Sequence, residues 1–269
     1  MGEVEEVVKE TPRRRPPTTI STTIPFRPRK LRKLTNTTTS SNKNDLALTP
    51  PPVLLLPRPL TSPGEIAAAI DHLRLSDPLL TPVIAAHEPP SFPVPLPPFH
   101  SLARSILYQQ LSPKAASTIY TRFLSLCSSI SVSPSSVLSL SPQALRAAGV
   151  SARKASYLHD LALKFHSDVL SEDKILASSD EGSLMSALTA VRGIGPWSVH
   201  MFMIFSLHRP DVLPVGDLGV RKGVRMLYGL DKVPMAAEME ALCESWRPYR
   251  SVGAWYMWRL AESTLSRPG

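Results

Sequence analysis

From Gly64 onward, apolar residues recur at helical rather than strand spacing, and Pro or Gly punctuates nearly every junction between the runs. Glu65 to Leu75 is an Ala-rich amphipathic stretch, and Phe99 to Gln110 repeats apolar residues at Leu102, Ile106 and Leu107. That spacing places the apolar side chains on one helix face. Ser112 before Pro113 and Ser141 before Pro142 read as helix starts. The serine side chain accepts from a first-turn amide, and proline at the first helical position has no N–H to leave unpaired. Further helices are predicted over Ala152 to His166, Gly182 to Val191, Pro196 to Leu207, Leu218 to Tyr228, Met235 to Trp246 and Ser251 to Leu265. No stretch alternates convincingly as a strand and no internal repeat is evident, so the expected class is all-α with short connections.

Residues 1–63 lack this periodicity. They are rich in Pro, Thr, Ser and Arg and hold too few apolar side chains to offset the entropy of ordering them, which predicts a disordered tail before a helical domain at 64–269. The stretch from Pro89 to Pro98 reads as a stiff connector. Net charge is +8 and falls mainly on the tail, which carries eleven basic against five acidic residues; the remainder carries nineteen against seventeen. A polyanionic partner is therefore expected, but contacts from the body must rest on placed groups rather than bulk charge. Within the tail, Arg13-Arg14-Arg15 and the run Arg27 to Lys33 read as a nuclear address or a DNA-tethering arm, against the plainer reading of a solvated polycation. Nuclear residence is expected, with an organelle as the alternative; Glu3, Glu5 and Glu6 do not suit a transit peptide.

Two cysteines, Cys127 and Cys243, suit an intracellular chain with reduced thiols and cannot supply the four ligands of a cysteine-bound iron–sulfur cluster. The histidines show no zinc-type spacing with them, so no catalytic metal site is expected. No apolar run approaches membrane-spanning length, and no membrane association is expected.

The most specific local signal is Val191-Arg192-Gly193-Ile194-Gly195-Pro196-Trp197. A helix ends at Val191, two glycines frame one apolar residue, and Pro196 opens the next helix. Such a turn leaves backbone N–H groups uncovered at a helix N-terminus, which suits one phosphate. Alone, it reads equally well as an ordinary tight turn.

Downstream, Leu213-Pro214-Val215-Gly216-Asp217 follows, with Asp217 twenty positions after Trp197. Together these segments resemble the helix-hairpin-helix DNA glycosylase superfamily. Arg247-Pro248-Tyr249-Arg250-Ser251, Ile106 to Ser112 and Gly149 to Ala162 resemble, respectively, the pocket-and-core motif, the DNA-invading loop and the central helix pair of its 3-methyladenine glycosylase II branch. The likeness runs from about Phe99 to Leu265. It implies two helical subdomains around a cleft and an enzyme that flips alkylated purines, such as 3-methyladenine and 7-methylguanine, out of double-stranded DNA. Hydrolysis of the N-glycosidic bond would leave an abasic site for downstream processing enzymes.

The resemblance assigns Asp217 the catalytic role of stabilising positive charge on the sugar; its plainer role is an N-cap for the helix at Leu218. Trp197 stands where a strand-nicking relative carries a nucleophilic lysine, implying hydrolysis without strand cleavage. Trp197 and Tyr249 match aromatic pocket positions, with Tyr108 a weaker candidate, all three competing with simple core packing. Met201 and Leu218 replace tyrosines of some bacterial relatives. Gly193, Ile194 and Gly195 form the phosphate hairpin. Gln109, Gln110, Leu111 and Ser112 form the invading loop, where Gln110 and Leu111 both remain candidates for the wedge and Gln109 for a contact to the opposite strand. Lys154 reads as a phosphate contact or a solvated helix residue. No organic cofactor is implied, although a structural Na⁺ or K⁺ at the hairpin carbonyls is compatible with the family. A monomer is expected. Two rival readings stay open: a non-catalytic helix-hairpin-helix DNA-binding module, and a glycosylase for oxidised or deaminated bases.

Overall fold

A computed structural model describes residues 58–92, 94–127 and 132–265, all within the unit Leu54–Gly269. Thirteen α-helices follow one another among them: α1 (Glu65–Ser76), α2 (Leu80–Ala86), α3 (Pro98–Tyr108), α4 (Pro113–Leu126), α5 (Pro134–Leu138), α6 (Pro142–Ala147), α7 (Ala152–His166), α8 (Glu172–Ala177), α9 (Glu181–Thr189), α10 (Pro196–Phe205), α11 (Leu218–Leu227), α12 (Ala236–Leu242) and α13 (Arg250–Leu265). No strand occurs among the described residues.

Short side chains set most of the helix starts. Ser112, Ser133, Ser141, Ser151 and Ser171 each accept from the amide three residues on, beginning α4 to α8 in turn. Asp180 and Asp217 do the same for α9 and α11. Helix α10 differs, opening at Gly195-Pro196 with no side-chain cap. The predicted helix over Met235 to Trp246 divides after Leu242 into α12 and a 3₁₀ turn at Glu244–Trp246. Helices α2, α5 and α8 were not legible in the pattern.

The expected tail also ends earlier than its composition suggests. Leu60 is buried and its N–H donates to the His208 carbonyl at 2.8 Å, while Arg58 pairs with the buried Glu65 at 3.2 Å. Thus 58–63 packs on the body. The remaining tail, with Arg13–Arg15 and Arg27–Lys33, lies outside the described residues.

Two apolar cores result. One gathers Phe99 and Ile106 from α3, Phe123 from α4, Leu158 from α7 and Val199 from α10. The other gathers Leu73 from α1, Leu80 from α2, Val220 and Val224 from α11, Trp246 and Tyr256. Phe92 and Trp258 pack against both, and the chain crosses between them where Val212 sits in the first core and Leu213 in the second. Asp217 lies just beyond this crossing.

The crossing segment is fastened to the start of α13. Arg250, 4% exposed, pairs with Asp211 at 2.6 Å and with Glu240 at 3.0 Å. Ser251 Oγ accepts from the Val212 N–H at 3.0 Å and donates to the Arg209 carbonyl at 2.7 Å. Removing these carboxylates is costly because it would leave the buried Arg250 guanidinium uncompensated. Helix α11 then packs tightly along α13 at Gly223, where an added Cβ would fall 2.4 Å from the Met257 carbonyl oxygen. Gly223→Ala is therefore expected to lower unfolding free energy by about 1–3 kcal/mol, the cost of forcing volume into a closed contact. Thermal or denaturant unfolding measures this, and an unchanged midpoint would mean that the two helices separate freely.

Candidate active site

Asp217 stands at the seam between the two cores with its carboxylate fixed by three donors. Oδ1 accepts from the Val220 N–H at 2.9 Å, the N-cap bond of α11, and from the Trp258 indole N–H at 2.9 Å. Oδ2 accepts from the Trp197 indole N–H at 2.6 Å. The two indoles come from α10 and α13. A carboxylate has about four acceptor positions, so this one retains roughly one, on Oδ2. Its residue is 9% exposed. Capping and catalysis therefore do not exclude each other here, since the cap engages one oxygen and leaves the other facing the indole of α10.

Trp197 also presents surface to solvent. It is 51% exposed and lines a cleft of about 430 Å³ together with Arg104, Tyr108, Met201 and Phe205. The Arg104 guanidinium lies over the Tyr108 ring at 4.6 Å. This cleft brings together three of the pocket residues expected from the sequence: Trp197, Tyr108 and Met201. Leu218 is not among them; it is 55% exposed and lines a second cleft of about 450 Å³ with Gly219, Lys222 and Trp258.

Tyr249 corrects the sequence expectation. Its hydroxyl donates to Glu65 at 2.9 Å and its ring packs beside His72 at 5.6 Å, within the second core and against α1. Burial and the neighbouring Glu65 carboxylate push its phenol up to about 12. The motif around it serves through Arg250 and Ser251, which hold the crossing segment, rather than through the aromatic ring.

The hairpin is anchored from both sides. Ile194 is buried in the first core. Asp160 on α7 accepts from the Arg192 N–H at 2.9 Å and pairs with its guanidinium at 3.2 Å. Gly193 takes φ +84°, and an added Cβ would lie 2.1 Å from Tyr157, so only glycine fits. Among the described residues, no backbone hydrogen bond uses the N–H of Gly195, Trp197 or Ser198. These uncapped donors at the start of α10 have the geometry to receive a single anionic group. The Val191 and Gly193 carbonyls accept from Ile194 N–H at 3.1 Å and from the Gln109 side-chain amide at 2.8 Å. Each keeps a lone pair, so the donor set remains compatible with a monovalent cation.

The loop after α3 carries Gln110 at φ +55°, exposed beside Leu111, which is 38% exposed. Ser112 caps α4 with an Ala115 N–H···Oγ bond of 3.4 Å. Two neighbours make contacts that the sequence pattern does not reveal: the Gln109 side-chain amide donates to the Gly193 carbonyl, and Lys154 Nζ donates to the carbonyls of Leu107 and Gln109, both at 2.7 Å. Cys127 and Cys243 are buried free thiols, and burial raises both, Cys243 to about 12, which leaves neither as a ready nucleophile.

Sequence reasoning missed Trp258, Arg104 and Asp160. Trp258 sits among apolar residues of α13, and nothing in that pattern separates a tryptophan that reaches a carboxylate from one that fills a core.

The family described as HhH-GPD superfamily base excision DNA repair protein matches residues 103–248, more than half of the chain. The chain belongs to this superfamily. The HhH-GPD chain is 34% identical over 166 residues to DNA-3-methyladenine glycosylase 1 of Schizosaccharomyces pombe, covering 61% of this chain and 73% of the relative. In structure it is similar to a DNA-3-methyladenine glycosidase from Bacillus halodurans, with a TM-score of 0.68, 33% identity, and coverage of 78% of this chain and 94% of the other. It is also similar to the S. pombe 3-methyladenine DNA glycosylase in complex with abasic DNA, with a TM-score of 0.60, 33% identity, and coverage of 71% and 95%.

The position of Tyr249 gives this HhH-GPD protein a test. The phenol's folded value is raised above its usual 10.0. The stabilisation it contributes is therefore fully present below pH 10 and lost as pH rises through about 12. Tyr249→Phe is expected to lower stability at neutral pH by about 1.5–3 kcal/mol, the worth of a hydrogen bond to a charged acceptor. It should also flatten the stability profile across that alkaline window and leave base release unaltered. Loss of base release in a folded Tyr249→Phe protein would return the residue to the pocket.

Proposed function

We propose that this chain is a DNA glycosylase of alkylated bases in base excision repair, and that Asp217 is its catalytic carboxylate. The observation that carries the assignment is the Asp217 side chain held between the indoles of Trp197 and Trp258, with Trp197 also walling an open cleft. The names of the relatives support the substrate class: they are 3-methyladenine glycosylases, and one was bound to abasic DNA.

The chemistry follows from these parts. The uncapped amides at the start of α10 take a DNA phosphate and set the register of the duplex. The exposed tip at Gln110 and Leu111 enters the stack and fills the space left by the extruded nucleotide. We assign Gln110, at the left-handed turn, as the leading wedge, with Leu111 behind it. The flipped base enters the cleft against Trp197, Tyr108 and Met201, where an aromatic face favours an electron-poor or cationic alkylated purine. As the glycosidic bond breaks, positive charge gathers on the sugar, and the remaining acceptor position of Asp217 Oδ2 stabilises it and orients the attacking water. No lysine occupies position 197, so the strand is left intact and the product is an abasic site. The basic clusters of the tail support nuclear residence, and we take the acting form to be a monomer.

The non-catalytic binding-module reading accounts for the hairpin but leaves the fixed carboxylate and its adjoining cleft without a role. Base release from methylated duplex DNA separates the two. Wild type should release 3-methyladenine, with strands breaking only after alkali. Asp217→Asn should bind DNA yet release base at least about a hundredfold more slowly, as for other groups that stabilise transition-state charge. Binding without any release by wild type would favour the module, and strand scission without alkali would overturn the hydrolytic mechanism.

A further inference from the structure

Lys154 is the least expected element of the site. Its ammonium lies against the C-terminal end of α3, where helix carbonyls lack intrahelical donors and the dipole favours a cation. It donates to two of them, Leu107 and Gln109, each at 2.7 Å. Immediately afterwards the chain turns through Gln110 in the left-handed region, a conformation that non-glycine residues seldom hold without support. From the same residue 109, the side-chain amide continues the connection to the Gly193 carbonyl at 2.8 Å. Three hydrogen bonds thus join α7, the invading loop and the hairpin. Behind the loop is a cleft of about 200 Å³, lined by Leu107, Leu111, Ile119 and Lys154, which gives an unrestrained loop room to fall back. Burial lowers the Lys154 ammonium from its ordinary value, because its charged form is partly withdrawn from water.

We propose that Lys154 is a positioning residue that holds the Gln110–Leu111 tip in register with the phosphate hairpin, so that grip and wedge enter DNA as one unit. The proposal rests on the glycosylase reading above. It makes the contribution of Lys154 specific to base extraction: the lysine neither touches the reacting sugar nor reads the base.

The experiment compares Lys154→Met, Lys154→Arg and wild type on one alkylated base, presented in a matched duplex and opposite a mismatch, where extrusion is easier. Thermal melting establishes that each variant is folded. In Lys154→Met the matched-to-mismatched rate ratio should fall by about tenfold, the scale expected on losing charge-assisted hydrogen bonds. Lys154→Arg should recover part of it, because guanidinium also donates to two carbonyls. Gln109→Ala, which cuts only the link to Gly193, should shift the ratio in the same direction. An unchanged ratio, with both rates reduced alike, would overturn the proposal in favour of a phosphate contact or a purely structural role. A second readout does not depend on catalysis: fluorescence of 2-aminopurine placed opposite an abasic-site analogue. Wild type should unstack and brighten it, and Lys154→Met should bind the same DNA with less brightening. Absence of base release by wild type would defeat the glycosylase reading alone; equal brightening by both proteins would defeat the clamp.

Discussion

The arrangement of this protein depends on one carboxylate receiving donors from two separately packed halves. Trp197 comes from a helix of the first core, Trp258 from the long C-terminal helix, and both N–H groups meet on Asp217. Polar contacts in a partly buried place are strong only when all of them are made. The two halves must therefore meet in one register for the site to exist. Arg250 and Ser251 secure that register by holding the segment that crosses from one core to the other. Of the carboxylate, one acceptor position on Oδ2 is what remains beyond these three bonds.

Where a signal was local, the sequence carried it. Ser-Pro pairs announced α4 and α6 because capping and proline geometry act within one turn, and the 3.6-residue period gave α7 its observed ends. The hairpin and Asp217 were also legible, the latter only because its spacing from Trp197 resembled a family pattern. Helices α2, α5 and α8 were not, since five to seven residues are too few for periodicity and such helices persist through caps and tertiary contacts. Residues 58–63 read as tail because composition cannot reveal that Leu60 finds a place in a distant core.

The candidate site divides along the same line. Residue type identified which side chains could take part, but direction decided which did. Tyr249 and Arg250 are adjacent, yet one turns to Glu65 and the other to Asp211. Lys154 has the composition of a DNA contact, and its ammonium is nevertheless spent on carbonyls 45 and 47 positions earlier in the chain. Pairings of such sequence separation leave no local trace. Only the three-dimensional course of the chain shows them.

The close contact of Gly223 with Met257 has a consequence for how such a protein diversifies. It fuses α11, which Asp217 caps, and α13, which carries Trp258, into a block with little tolerance for altered volume. The side chains that wall the cleft beside Trp197, Tyr108 and Met201 among them, stand on α3 and α10, outside that block. Methionine is also the side chain best able to refit an irregular space. Substitution at Tyr108 or Met201 can thus reshape the cleft over generations while α11 and α13 stay fixed, but Trp197, on the same helix as Met201, remains tied to Asp217 and cannot drift with them.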